Sequence, residues 1–280
     1  MHIVVAADKH FGQHLLVMLY SLFSNYTGDR ISVHAAITDP LFSRAAAALT
    51  AAFDHDFHSI SSDSVIEQLP VSRVHQILTA TPYVRLLADR LISPEIDKVL
   101  YLDSDIIVRQ NVQQLWHVDL KTHSLAASNC HGASKDRAFV ARFGGRYFNS
   151  GVMLMNLREW RQREIGARCL AFLRDNPEKI RFVDQCALNY ICTDWMWIDV
   201  TWNFTTQIGS RWARALGTSE KRFLEAQRDP AIVHFVGSTK PWSRPAAELS
   251  RFDTEYWTYR TALMNRSDMR GMLDGHIAAA

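Results

Sequence analysis

The sequence predicts an α/β fold with a mostly parallel central sheet. Three observations carry this. Short apolar runs alternate with longer stretches of helical periodicity from the first residues onward. Several of those runs close on Asp, His or Gly, and ligands collect beyond strand ends in open α/β sheets. The chain, 280 residues with 48% hydrophobic side chains, is also large enough to bury one substantial core.

"HIVVAAD" (2–8) reads as the first strand, closing in Asp8, and "FGQHLLVMLYSLFSNY" (11–26) follows at helical spacing. "ISVHAAIT" (31–38) is a second strand and the Ala-rich stretch 41–52 a second helix. A polar connection (60–74) leads to an interrupted helical segment, 76–92, which contains Pro82. "KVLYLDSDIIV" (98–108) is the next strand and its sequel. "YFNSGVMLMNL" (147–157) is another strand, and "REWRQREIGARCLAFLRD" (158–175) follows as one helix with a basic outer face. "DQCALNYIC" (184–192) is a short helix with Asp184 in the capping position. "AIVHFVG" (231–237) is a late strand, and the residues past 245 form a terminal helical extension. The strand–helix–strand–helix order favours parallel pairing with helices on the sheet faces.

Composition excludes several classes. A formal charge of +2 and the lack of any long Lys/Arg run argue against nucleic-acid binding. Cys130, Cys169, Cys186 and Cys192 form no C-x-x-C pair and no finger-like spacing, so they read as reduced thiols of a cytoplasmic protein. No apolar stretch reaches the roughly 18–20 residues of a membrane span, and the first residues do not read as an export signal. The expectation is a soluble protein, at most peripheral on the inner face of the cell membrane. "ADKHFGQH" after the first strand has only Gly12, which argues against a dinucleotide site of the G-x-G-x-x-G type.

Asp103 and Asp105 lie one residue apart after an apolar lead-in. In extended chain such a pair shares one side, and two close carboxylates repel unless a cation sits between them. Their ordinary role is a strand-end turn; the alternative is a divalent metal site. His234 is the natural third ligand, against the plainer reading of a hydrogen-bonded core histidine. Two carboxylates and an imidazole suit Mn²⁺ better than Ca²⁺ or a thiolate zinc site. Gly237 and Lys240, in "HFVGSTKPW", add close backbone approach and a positive charge, which together describe a diphosphate site. At the other end, Phe11 can stack on a pyrimidine while Asp8 bonds the ring edge; the alternative for Phe11 is a core aromatic. Asn149, Asn156, Asp184, Gln185 and Arg85 have ordinary readings as turn, cap or solvated helix residues.

Taken in order, "HIVVAAD", "PYVRL", "KVLYLDSDIIV", "YFNSGVMLMNLREW", "VDQCALN" and "HFVGSTKPW" resemble glycosyltransferase family 8. The chain is most similar to the bacterial members that add galactose or glucose to lipopolysaccharide or lipooligosaccharide. The resemblance runs from residue 2 to about 245. It implies a GT-A fold over 1–250, with 251–280 as a C-terminal helical appendage. It also implies transfer of a hexose from UDP-galactose or UDP-glucose to a saccharide or glycolipid hydroxyl, with retention at the anomeric carbon. By resemblance Asp103, Asp105 and His234 hold Mn²⁺, with Mg²⁺ as the substitute ion, and Gly237 and Lys240 complete the diphosphate grip. Ala7 and Asp8 meet uracil, and Phe11 and Ser104 belong to the same donor site. Arg85, Asn149, Asp184 and Gln185 surround the donor sugar, the last three as the catalytic group.

The chain departs from the family in two places. Asp8-Lys9-His10-Phe11 stands where D-x-N-Y is common, so the stacking ring lacks a hydroxyl. Asn129-Cys130-His131 stands where an acidic residue often meets donor or acceptor. The acceptor groove is expected around 60–76, 129–145 and 205–225. Tyr256, Trp257 and Tyr259 with nearby arginines fit either a contact with an anionic membrane surface or, equally, a terminal helix packed on the domain. Two other functions fit parts of the pattern: a catalytically silent sugar-nucleotide binder, and a haloacid-dehalogenase-type phosphohydrolase. The latter places its D-x-D near the N-terminus and adds later aspartates that this chain lacks.

Overall fold

The computed structural model describes residues 1–61, 81–130, 137–206 and 218–273. Much of the expected polar connection and of the acceptor groove, including His131, lies outside the described residues.

Strand β1 (His2–Ala7) is buried along almost its whole length and pairs in parallel with β2 (Ser32–Ile37). Between them runs helix α1 (Gly12–Ser24), whose apolar face joins the core. Helix α2 (Pro40–Ala52) starts where Asp39 accepts a hydrogen bond from the Leu41 N–H, with Pro40 preset for the first turn. It leads to β3 (Asp56–Ser59). After the 3-10 turn Thr81–Leu86 and the short helix α3 (Ala88–Leu91), strand β4 (Lys98–Leu102) lies on the other side of β1.

The expected strand 98–108 is two strands. β4 ends at Leu102, Asp103–Asp105 form a turn, and β5 (Ile106–Val108) enters a second sheet. Past α4 (Gln113–Trp116) come β6 (Leu125–Asn129), α5 (Arg137–Ala141) and β7 (Phe148–Asn156), which runs antiparallel between β4 and β6. The expected helix 158–175 is also divided. α6 (Leu157–Gln162), capped by Asn156, and α7 (Ile165–Asp175) are separated at Glu164, whose φ of 50° turns the chain. The bend lets α6 stay on β4 while α7 packs against α8 (Val183–Ile191).

β8 (Met196–Trp197) closes the seven-stranded sheet, in the order β3-β2-β1-β4-β7-β6-β8, with β7 as its antiparallel member. Strand β9 (Phe204–Thr205), helix α9 (Glu220–Arg228) and β10 (Ile232–His234) follow, and β5-β10-β9 make a small second sheet. The tail is helical, as expected: α10 (Arg251–Met264) starts in a capping box of Ser250 and Asp253, and α11 (Ser267–Leu273) follows. In it Phe252, Tyr256, Leu263, Met269 and Leu273 are buried in the same core as β1 and α1. Among the described residues, no helix is long and apolar enough to cross a membrane.

Candidate active site

The turn between the two sheets is the centre of the site. Asp103 follows β4 of the large sheet, Asp105 precedes β5 of the small one, and β10 brings His234 beside both. One ligand atom from each lies within 4.8 Å of the others. His234 Nε2 is 3.2 Å from Asp105 Oδ1 and 3.7 Å from Asp103 Oδ2. The carboxylates converge as the sequence predicts, though from a turn rather than from extended strand.

Each carboxylate commits one oxygen and turns the other toward the shared centre. Asp103 Oδ1 receives Arg85 Nη2 (2.8 Å) and the Tyr101 hydroxyl (3.1 Å). Asp105 Oδ2 is bound by Lys240 Nζ, which also reaches the Phe235 carbonyl. Burial alone would push the Asp105 carboxyl up; the adjacent His234 and Lys240 hold it well below the usual carboxylate range. Among the described residues this is the one group of carboxylates and imidazole with metal-ligand spacing, and its donors suit a divalent ion of the Mn²⁺ type. Between the two aspartates, the Ser104 hydroxyl donates to the Ala6 carbonyl (2.9 Å) and ties the turn to β1.

Arg85, which reads in sequence as a solvated helix residue, is buried here with its guanidinium over the Tyr101 ring. It bridges Asp103 to Asp184, whose Oδ2 is 3.2 Å from Arg85 Nε and accepts from the Ser150 hydroxyl (3.1 Å). Asp184 therefore does not cap α8. Phe182 holds the cap position without a side-chain bond, and Val183, at φ 36°, rotates the first turn so that Asp184 points inward. Burial pushes the Asp184 carboxyl up against the pull of Arg85.

Gln185 Oε1 accepts from Asn149 Nδ2 (3.2 Å) and the Ser150 N–H (3.1 Å), and its amide NH₂ lies 3.5 Å from Cys130 Sγ. Asn149 Oδ1 accepts from the Gly151 N–H and from Asn203 Nδ2, both at 2.9 Å. Neither Gly151 nor Asn203 is marked by any local pattern in the sequence. Gly151 is needed because a Cβ there would stand 2.2 Å from His234 Cε1 and 2.6 Å from Asp103 Oδ2.

A cleft of about 380 Å³ opens beside this cluster, lined by Asp8, Phe11, Pro82, Arg85, Asp103 and Asp105 among others. Asp8 accepts from the His10 and Phe11 N–H groups, which fixes the turn that presents the Phe11 ring. Of the β1 residues, Ala6 and not Ala7 lines the cleft: side chains alternate along a strand, and Ala7 points into the opposite core. Gly237 occupies the left-handed region (φ 82°) that lets the chain turn toward Lys240.

The profile of glycosyl transferase family 8 matches residues 2–246. The chain belongs to that family. General stress protein A of Bacillus subtilis is 30% identical over 255 residues, 87% of each chain. The lipopolysaccharide 1,2-glucosyltransferase of Escherichia coli K12 is 25% identical over 175 residues, 60% of this chain and 51% of that one. Among solved structures, the galactosyltransferase LgtC with donor and acceptor sugar analogues superposes with a TM-score of 0.77 at 24% identity, covering 98% of this chain and all of the other. The pneumococcal glycosyltransferase GlyE superposes at 0.67 with 22% identity, over 92% of this chain and 59% of that one. The family 8 chain thus has the GT-A architecture that its sequence predicts, and the phosphohydrolase alternative falls with the family assignment.

Proposed function

We propose that this family 8 transferase moves galactose or glucose from its UDP-sugar to a hydroxyl of a saccharide or glycolipid acceptor, with retention, in cell-surface glycan synthesis. In this reading it works in the cytoplasm or peripherally on the inner membrane face. The observation that carries the proposal is the convergence of Asp103, Asp105 and His234 beside a cleft that Asp8 and Phe11 also line. Base-stacking and cation-holding groups around one cleft suit a nucleoside diphosphate.

Asp103, Asp105 and His234 would hold Mn²⁺, or Mg²⁺ in its place, and the ion when bound supplies positive charge against the departing diphosphate. Lys240 adds a second positive charge to the same side, and Gly237 lets the backbone approach the phosphates. Asp8 and Phe11 hold the base. Arg85, Asn149, Asp184 and Gln185 orient the hexose. Both lone-pair regions of the Gln185 amide oxygen are already engaged by Asn149 and Ser150, and an amide is a poor nucleophile. Asp184 commits Oδ2 to both Arg85 and Ser150, and the adjacent guanidinium charge weakens the carboxylate as a nucleophile. This favours front-face attack by the acceptor hydroxyl, with Asp184 and Gln185 steadying the positive charge on the sugar. A trapped glycosyl adduct on either residue would overturn that route.

The test is UDP release from a panel of UDP-hexoses, with an acceptor mixture of cell-surface glycans, in Mn²⁺ and then in EDTA. Metal-dependent release from one donor, abolished in Asp103→Ala and Asp105→Ala, is the expected result. Failure of the wild-type protein to bind any UDP-sugar in Mn²⁺ would refute the proposal.

A further inference from the structure

Asn203 lies at the end of the turn Val200–Asn203, just before β9, and is 1% exposed. Pairing of β9 with β10 sets Thr205 opposite His234 and brings the Asn203 amide to the imidazole ring. What that amide does can be worked out from the direction of each hydrogen bond around it.

Two backbone N–H groups fix the directions, because they can only donate. The Ser150 N–H points at Gln185 Oε1 (3.1 Å), so that atom is the amide oxygen. Asn149 donates to the same oxygen through Nδ2 (3.2 Å), which leaves Oδ1 as its other end. The Gly151 N–H points at Asn149 Oδ1 (2.9 Å), in agreement. The Asn203 atom 2.9 Å from Asn149 Oδ1 must then be the NH₂ group. Its Oδ1 is left facing His234 Nδ1 at 2.9 Å, and an amide oxygen only accepts. Nδ1 therefore carries a proton, and in the neutral ring the lone pair lies on Nε2. Nε2 is the atom turned toward Asp103 and Asp105.

We infer that Asn203 is a positioning residue that locks His234 as the Nδ1–H tautomer and so keeps Nε2 available to a divalent cation. The inference rests on the proposed metal site and names the residue that prepares one of its ligands. Without Asn203 the ring is free to protonate Nε2 and turn its lone pair away. Partners of this kind, which hold the far nitrogen of a ligating histidine, typically contribute 10–100-fold, on the order of one to two decades, to metal affinity.

The experiment has two readouts, neither of them turnover. In the metal-free wild-type protein, ¹⁵N spectra of His234 taken where the ring is neutral should show Nδ1–H, and Asn203→Leu should show a mixture of tautomers. In the absence of donor, Mn²⁺ affinity measured by water-proton relaxation should fall about 10–100-fold in Asn203→Leu. An Nε2–H ring in the wild-type protein overturns the inference, and that measurement needs no variant to fold. Unchanged Mn²⁺ affinity in folded Asn203→Leu overturns it as well. If the wild-type ring is Nδ1–H but no divalent ion binds, the tautomer lock stands and the proposed metal site fails, so the two failures are told apart.

Discussion

A single methyl group at Gly151 should disable the site while leaving the fold standing. Gly151 lies in β7 directly against the cluster, and a Cβ there would sit 2.2 Å from His234 Cε1, 2.6 Å from Asp103 Oδ2 and 2.9 Å from His234 Nδ1. Ordinary contact begins near 3.4 Å, so the ring must retreat by more than an ångström. It has nowhere to go: His234 is 3% exposed and Asn203 holds its far nitrogen. Overpacking of this kind costs roughly 1–3 kcal/mol of stability. Misplacing a catalytic group by about 1 Å costs on the order of 100-fold in rate. Gly151→Ala should therefore lower the melting temperature by a few degrees, yet weaken Mn²⁺ binding and UDP release far more than that loss explains. Gly271→Ala is the control. Its Cβ meets nothing within 4 Å, and in α11 it should add about 0.5–1 kcal/mol of stability with unchanged turnover. Wild-type metal affinity and turnover in Gly151→Ala would refute the geometry argued here.

Other expectations follow from the buried charges. Arg85→Met strips the cation from Asp184, whose side chain is only 10% exposed, and should cost roughly 3–5 kcal/mol in urea unfolding. Adding Asp184→Asn to that variant should recover part of the loss; a further loss would show that Arg85 acts mainly by packing. Lys240→Met should lower kcat by about 10²-fold or more, and because it strips a cation from the buried Asp105 it should also lower the melting temperature. Burial drives the His14 imidazole down to about 3, so the folded state holds it neutral while the unfolded chain takes up a proton below about 6.5. Its contribution is thus complete above pH 6.5 and is lost as pH falls toward 3, about 2 kcal/mol by pH 5. His14→Gln should flatten stability over that range, and an unchanged slope would reject the assignment.

Much of this was legible because the parallel strands β1 and β4 are buried on both faces and read as nearly unbroken apolar runs, and β2 is broken only by Ser32 and His34. The same continuity hid the sheet boundary, since "KVLYL" and "IIV" are equally apolar on both sides of Asp103–Asp105. Nothing at Arg163–Glu164 announces a break either: no Pro or Gly stands there, and the left-handed Glu164 is imposed by the different partners of α6 and α7. Asp184 has the residue type of a cap and the position of one, and only the backbone at Val183 shows that it faces Arg85. Asn203 and Gly151 act on His234, 31 and 83 residues further along the chain, with no local pattern to mark them.

The tail shows why terminal aromatics need their partners before they are given a role. Tyr256 is 1% exposed, and its hydroxyl shares a 2.6 Å hydrogen bond with His14 Nδ1. His14 in turn stacks on Trp242, ring centroids 3.5 Å apart, and Trp242 meets the edge of Phe11. Trp257 donates to the Pro241 carbonyl, and the Tyr259 hydroxyl accepts from Asn25. Tyr256 is thus turned inward onto α1, while Trp257 and Tyr259 are half-buried against the turn after Lys240 and against α1. Their packing braces the ring proposed to stack on the nucleotide base and the turn that carries the proposed phosphate-binding lysine.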